Sequence, residues 1–192
     1  MDTDRPAPGP LEEVRHVLNS DDRFHGVDHA EDVEALNGFL TRAGSAYAPL
    51  PATADLGAYR AFRDVTRDLL LHPSTATRHS FNRIADHHPM TVEVGEGAAH
   101  LSPAATSGQS AVDRIVGESL ATVHDAMLTG EWGRLRECER GDCLWIYYDP
   151  SPTQVMRWCS TDPCGNVMKV RAYRARRAAG PSSISREVGE PR

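Results

Sequence analysis

Residues 138–164 read CERGDCLWIYYDPSPTQVMRWCSTDPC, and they contain all four cysteines of the 192-residue chain. The cysteines form two close pairs, Cys138 with Cys143 and Cys159 with Cys164, in the spacing C-x4-C-x15-C-x4-C. This pattern is typical of a tetrahedral thiolate site, because each pair supplies two ligands from one turn and the spacer lets the two turns face each other. The strand-prone run LWIYY directly follows the first pair, which indicates a β-strand beside the site.

Zinc is the metal that this ligand set suits best, since it is redox-inert and is satisfied by four sulfurs. A closed site of this kind has no open position for a substrate, so we expect one structural Zn²⁺ per chain. Four unrelated buried thiols, a disulfide pair and an iron–sulfur cluster remain as alternatives. The N-terminus shows neither a basic segment nor an apolar segment of a signal peptide, which predicts a reducing, cytoplasmic location and argues against disulfides.

The segment after Cys164 is helical in pattern and strongly basic, with no acidic residue from 163 to 186. Positive side chains on a helix neutralise phosphates, so this helix predicts a surface that contacts nucleic acid. The alternative is a solvated terminal helix whose basic residues suit the dipole at its C-terminal end. The predicted contact residues are Arg157, Lys169, Arg171, Arg174, Arg176 and Arg177.

The net charge of −6 is the sum of the charges of two unlike parts of the chain. Residues 1–130 hold 10 basic and 19 acidic groups, whereas residues 131–192 hold 11 basic and 8 acidic groups. Only the last third of the chain can therefore face DNA, and a single protomer is expected to bind weakly unless a homodimer doubles the contacts.

The remaining sequence predicts an α+β protein that is mostly α-helical. Apolar residues at helical spacing indicate five helices before residue 130, and alternation predicts a small β-hairpin over 90–94 and 98–102. The expected organisation is an N-terminal helical domain and then a small treble-clef-like zinc-binding module that ends in a helix. The ranges are a disordered leader at 1–10, the helical domain at 11–130, the zinc module at 131–179 and a disordered tail at 180–192.

Two function classes are not expected from this sequence. No apolar stretch is long enough for a transmembrane helix, so no membrane association is expected. No metalloprotease, nucleophile-elbow, phosphate-loop or dinucleotide-binding motif occurs, so the chain is not expected to be an enzyme. The histidines at 25, 29, 87 and 88 form no catalytic pattern, although a small-molecule effector could bind in the helical domain.

Residues 132–177 resemble the CGNR zinc finger. The resemblance rests on an Asp-x-Ser element, an Arg-Trp-Cys-Ser run and a Cys-Gly-Asn run, which begin here at Asp149, Arg157 and Cys164. The preceding helical part is similar to the ABATE domain that accompanies this finger. The resemblance implies a bacterial, stress-induced type of transcription regulator. The family's namesake arginine is Val167 here, and the basic stretch before Arg157 is replaced by residues 152–156, PTQVM.

Sequence and resemblance together lead to a first hypothesis, a DNA-binding transcription regulator with a structural zinc site formed by four cysteines. The alternative is a zinc-scaffolded protein-interaction or ligand-sensing module that does not bind DNA.

Overall fold

The computed structural model describes residues 5–105 and 108–178, and this part of the chain is mostly helical with three short antiparallel hairpins. The predicted α+β class is confirmed. The helices are α1 Leu11–Asn19, α2 Val33–Ala43, α3 Leu56–Leu71, α4 Thr75–Ala85, α5 Ala111–Thr129 and α6 Asn166–Ala178.

Local sequence signals define most of the helix ends. The carboxylate of Asp32 accepts a hydrogen bond from the Ala35 N–H at 2.7 Å and caps the start of α2. Ser110 and Asp113 form a reciprocal capping box at the start of α5. Helices α2 and α5 are each followed by a glycine in the left-handed region, where a residue without a Cβ is favoured.

The three hairpins pair β1 Asp21–Asp22 with β2 Val27–Asp28, β3 Met90–Val94 with β4 Ala99–Pro103, and β5 Leu135–Glu137 with β6 Ile146–Tyr148. The second hairpin lies close to the predicted ranges and packs against α5. Gly117 makes this approach possible, because a Cβ there would lie 3.1 Å from the Pro103 side chain. The third hairpin carries the first cysteine pair in its loop.

The hydrophobic core runs through both the helical part and the cysteine-containing part. One cluster joins Leu40, Phe62 and Ile115 of the helices to the four cysteines and Tyr147. A second cluster joins Val14 and Leu18 of α1 to residues of α5, β5 and β6. The cysteine-containing part therefore packs directly against the helices instead of standing apart from them.

The N-terminal segment differs from the disordered leader expected at 1–10. In the described residues 5–10, Ala7 is buried and its N–H donates to Glu12 Oε2 at 2.7 Å. Arg5 lies 153 positions before Trp158 in the chain and donates to its carbonyl oxygen. Apolar contact and hydrogen bonding thus order this proline-rich segment, which composition alone suggested would be free. Residues 1–4 and the expected tail at 180–192 lie outside the described residues.

Among the described helices, none combines the length and the apolar composition needed to span a bilayer.

Candidate metal centre

The loop of the third hairpin positions the first cysteine pair. The N–H of Cys138 donates to the Trp145 carbonyl at 2.9 Å, which closes the hairpin just beyond β5. The N–H of Cys143 donates to the Arg140 carbonyl at 2.7 Å and forms a tight turn between the two cysteines. Both thiols consequently point to one side of the hairpin, and both cysteines are 1% exposed.

The second cysteine pair lies in the segment that leads into the C-terminal helix. Cys159 precedes the turn Thr161–Gly165 and Cys164 lies within it, and the Gly165 N–H donates to the Ser160 carbonyl at 3.1 Å. Helix α6 begins at Asn166, directly after this turn. The arrangement of a hairpin loop that faces a helix N-terminus agrees with the expected treble-clef-like module.

The sulfur positions fit one tetrahedral metal ion. All four Sγ atoms lie within 4.8 Å of one another. The separation is 3.7 Å between Cys143 and Cys159 and 3.6 Å between Cys159 and Cys164. Four sulfurs held about 2.3 Å from a tetrahedral Zn²⁺ lie about 3.8 Å apart, so the observed separations suit this ion. The four cysteines could therefore hold one zinc ion.

The closeness of the thiols couples their protonation. A hydrogen bond from Cys143 lowers the pKa of the Cys138 thiol to about 2, and the same bond raises the pKa of Cys143 to about 12. The pKa of Cys159 is raised as well, chiefly because its thiol donates to Cys138. One thiolate thus forms easily, whereas Cys143 and Cys159 ionise only when a positive ion compensates the charge of their thiolates.

Arg140 supplies a positive charge next to the sulfurs. Its Nη1 lies 3.8 Å from Cys164 Sγ, in the range of a hydrogen bond to sulfur. The same guanidinium forms two hydrogen bonds to Asp142, at 2.8 and 3.0 Å, and stacks over the ring of Phe24. Because a zinc ion bound by four thiolates carries a net charge of −2, this arginine would stabilise the metal-loaded state.

The turn after Cys143 has an unusual backbone conformation. Leu144 has φ 55°, in the left-handed region that branched side chains rarely adopt. Arg67, which is 2% exposed, donates to the Leu144 carbonyl at 2.5 Å and to Glu137 Oε2 at 2.6 Å. These bonds from α3 hold the cysteine turn in its conformation.

Three of the six predicted nucleic-acid contacts lie together. Arg157, Lys169 and Arg176 line a shallow groove of about 350 Å³ between α6 and the segment before Cys159. Arg157 also pairs with Glu139, with 2.6 Å between Nε and Oε2. Trp158, Met168 and Ala172 form the apolar part of this groove.

The other three predicted contacts point elsewhere around α6. Arg171 lies 3.4 Å from Asp142 Oδ2, and Arg177 lies over the Tyr173 ring. Arg174 is exposed. The positive charge therefore surrounds the helix instead of forming one stripe. Val167, which replaces the family arginine, is half-buried at the first turn of α6.

A buried carboxylate shapes the loop that leads to Arg157. Asp149 is fully buried and accepts hydrogen bonds from the Ser151 N–H at 2.8 Å, the Ser151 hydroxyl at 2.6 Å and the Met156 N–H at 3.0 Å. Burial by itself would raise the pKa of Asp149, but these hydrogen bonds outweigh it and hold the pKa below its usual value. The Asp149-x-Ser151 element therefore fixes the conformation of the loop that leads to Arg157.

Sequence reasoning missed the residues that support the centre from outside it. Arg140 could have been noticed, since it is a basic residue between two candidate thiolate ligands. Arg67 and Arg5 carry no local signal, because their partners lie 77 and 153 positions away along the chain.

Comparison with protein-family models agrees with the geometry of the four cysteines. A search of curated proteins, in contrast, finds no match to the chain. Residues 134–177 match the model of the CGNR zinc finger family, which covers about a quarter of the chain. The four cysteines, Arg157 and almost all of α6 therefore lie in a segment that matches the CGNR zinc finger.

Proposed function

We propose that this protein is a DNA-binding transcription regulator in which a structural zinc ion holds α6 against the phosphate backbone. The observation that carries the proposal is the exposure of α6: none of its residues is buried, and five of them are cationic. A helix that contributes so little to the core has its surface available to contact a partner outside the molecule. The cations are Lys169, Arg171, Arg174, Arg176 and Arg177.

The groove beside α6 is a suitable phosphate site. Arg157, Lys169 and Arg176 approach it from both sides, and its apolar floor weakens competition from water. The ion pair of Arg157 with Glu139 is largely exposed, so a phosphate can compete for the guanidinium at little cost. Arg174, on another face of α6, is free to approach base edges while the groove holds the backbone.

Few phosphates can be neutralised by one such surface. Three to five cations per protomer give weak and salt-sensitive binding. A homodimer would double the contacts and is part of the proposal. The helical part, which resembles the ABATE domain, would receive a signal and present its acidic surface away from DNA.

A protein-interaction role is the second candidate. Val170 and Tyr173 on α6 are 47% and 53% exposed, and Val155 in the preceding loop is 69% exposed. Apolar side chains among positive charges suit an acidic protein partner better than they suit a phosphate backbone.

The test uses fluorescence anisotropy of the zinc-loaded chain with a labelled random duplex of about 30 base pairs across a salt series. The variant Arg157→Gln/Lys169→Gln/Arg176→Gln removes the groove cations. We expect its affinity to fall by at least tenfold and the slope of log K against log salt to become shallower by about 2 to 3.

The matched control is Arg42→Gln/Arg78→Gln/Arg114→Gln, which removes the same charge from exposed positions in α2, α4 and α5. An equal loss in both triple variants, or binding that does not respond to salt, would contradict the proposal. Retention of an acidic protein by the chain, without DNA binding, would support the second candidate.

A further inference from the structure

A second groove, far along the chain from the cysteines, lies between α3, α4 and α5. Its volume is about 430 Å³, within the range of sites that bind small molecules. None of its lining residues belongs to the metal centre or to the proposed DNA-contacting surface.

The floor and one wall of this groove are apolar. Ala58, Ala61 and Val65 follow one another at helical spacing along one face of α3, and the two alanines leave the groove open. Val112 and Val116 of α5 form the floor and are 1% and 2% exposed. An extended apolar group placed here would lose most of its contact with water.

One rim of the groove is cationic. Arg83 is exposed, its Nη2 lies 3.4 Å from Ser80 Oγ, and no carboxylate among the described residues forms an ion pair with it. His87, four positions later, lines the same rim. The positive charge of Arg83 offsets the negative dipole end of α4, and the Arg83 guanidinium remains a donor for an anionic ligand.

The acidic residue of the groove already has partners. Asp113 accepts from the Ser110 N–H at 3.0 Å, and its Oδ1 lies 3.6 Å from His88 Nε2. Hydrogen bonds from Ser110 hold the pKa of Asp113 below its usual value. The first turn of α5 also places a positive dipole end beside the groove, which favours an anion.

We infer that this groove binds a small amphipathic carboxylate, with its apolar body along α3 and α5 and its carboxylate at Arg83 and His87. The inference is independent of the role of α6, because it concerns binding to the helical part alone. Shape and charge together select the ligand class: the alanine-lined wall accepts an unbranched or flat apolar body, and the rim accepts one negative charge.

The test is isothermal titration calorimetry of the full zinc-loaded chain with octanoate, octylamine and 1-octanol. We expect octanoate to bind most tightly, 1-octanol weakly and octylamine not at all. Affinity should rise about fourfold for each methylene from hexanoate to octanoate, as burial of a CH₂ group implies. Equal binding of octanoate and octylamine, or no binding of octanoate at millimolar concentration, would overturn the inference.

Two variants assign the binding to this groove. Ala61→Leu fills it from the exposed face of α3 and should abolish octanoate binding, whereas Ala76→Leu makes the same change at an exposed position of α4 outside the groove and should not. Arg83→Gln should weaken the affinity for octanoate about tenfold and leave the affinity for 1-octanol unchanged. Octanoate binding that survives Ala61→Leu, or that Ala76→Leu abolishes equally, would place the ligand elsewhere.

Discussion

The side-chain amide of Asn19 pairs in both directions with the backbone of Ile146. Its Nδ2 donates to the Ile146 carbonyl and its Oδ1 accepts from the Ile146 N–H, both at 2.8 Å. Asn19 ends α1 and Ile146 begins β6, so the bonds join the helical part to the hairpin that carries two cysteines. Both residues are buried, at 1% and 0% exposure, so water cannot replace these bonds.

Replacing Asn19 by alanine should therefore destabilise the protein strongly. Two buried backbone groups of Ile146 lose their partner, which costs about 2–4 kcal/mol in the free energy of unfolding. Chemical denaturation of the wild type and the variant measures this change. Asn37→Ala is the matched control, since Asn37 forms the same pair of bonds with Leu50, entirely within the helical part. Only Asn19→Ala should also weaken zinc retention, and equal zinc affinity in the two variants would contradict this link.

Loss of the metal should unfold the molecule in one transition, because the four cysteines belong to the core cluster that contains helix residues. All three tryptophans, at positions 132, 145 and 158, lie in the cysteine-containing part, whereas most helices precede it. Tryptophan fluorescence and far-ultraviolet circular dichroism therefore follow the two parts separately. We expect elemental analysis to give one zinc per chain and both signals to shift together in Cys159→Ser or with chelator. Thr161→Ser, in the turn that contains Cys164, is the control. If the circular dichroism transition of Cys159→Ser stayed at its wild-type position, the helical part would fold independently of the metal centre, and the prediction would be wrong.

Arg140→Met should weaken zinc binding by about 10–100-fold, the usual effect of removing a group that supports a metal ligand. The physical reason is the loss of the positive charge 3.8 Å from Cys164 Sγ. Competition with a chromophoric chelator measures the affinity. Arg171→Met is the matched control, because Arg171 also approaches Asp142 but has no contact with a sulfur of the four cysteines. If both variants bound zinc equally, the role given to Arg140 would be wrong.

Leu144 offers a test of the strained turn. Valine at this position should destabilise the protein by about 1–2 kcal/mol, because a β-branched side chain fits the left-handed region poorly. Glycine removes the strain but also removes a half-buried side chain, so Leu144→Gly should stay within about 1 kcal/mol of the wild type. Thermal unfolding of the zinc-loaded wild type and variants gives the order of their stabilities. A glycine variant that is less stable than the valine variant would contradict the strain argument.

Glu12 should make folding stability depend on pH in the acid range. Burial alone would raise its pKa, but hydrogen bonds from Arg15, His16 and the Ala7 N–H lower it to about 2 from 4.5. A folded pKa below the unfolded one stabilises the native state above pH 4.5, and this contribution disappears as the pH falls towards 2. Its full size is about 2 kcal/mol after allowance for partial exposure. Denaturation between about pH 6 and pH 2 should show a shallower loss for Glu12→Gln, and identical curves would contradict the assignment.

The predicted zinc site and the mostly helical fold follow from short-range patterns. Cysteine spacing, capping residues such as Asp32 and Ser110, and the glycines after α2 and α5 act within a few positions of one another. The DNA-contacting residues and the boundary at 130 remain predictions. The expectation for residues 5–10 differed from the structure because composition does not report the partners of Ala7 and Arg5.

The sequence by itself determined that the four thiols come in two close pairs suited to one metal ion and that a cationic helix follows them, because both features depend on neighbouring residues. Only the tertiary structure decided what supports the site and which groove the helical part presents. Asn19 meets Ile146 across 127 positions, Arg67 meets Glu137 across 70, and the groove of Ala61, Arg83 and Val116 needs three helices. Such pairings arise when helices pack around a shared core, and no local periodicity encodes which partners the packing brings together.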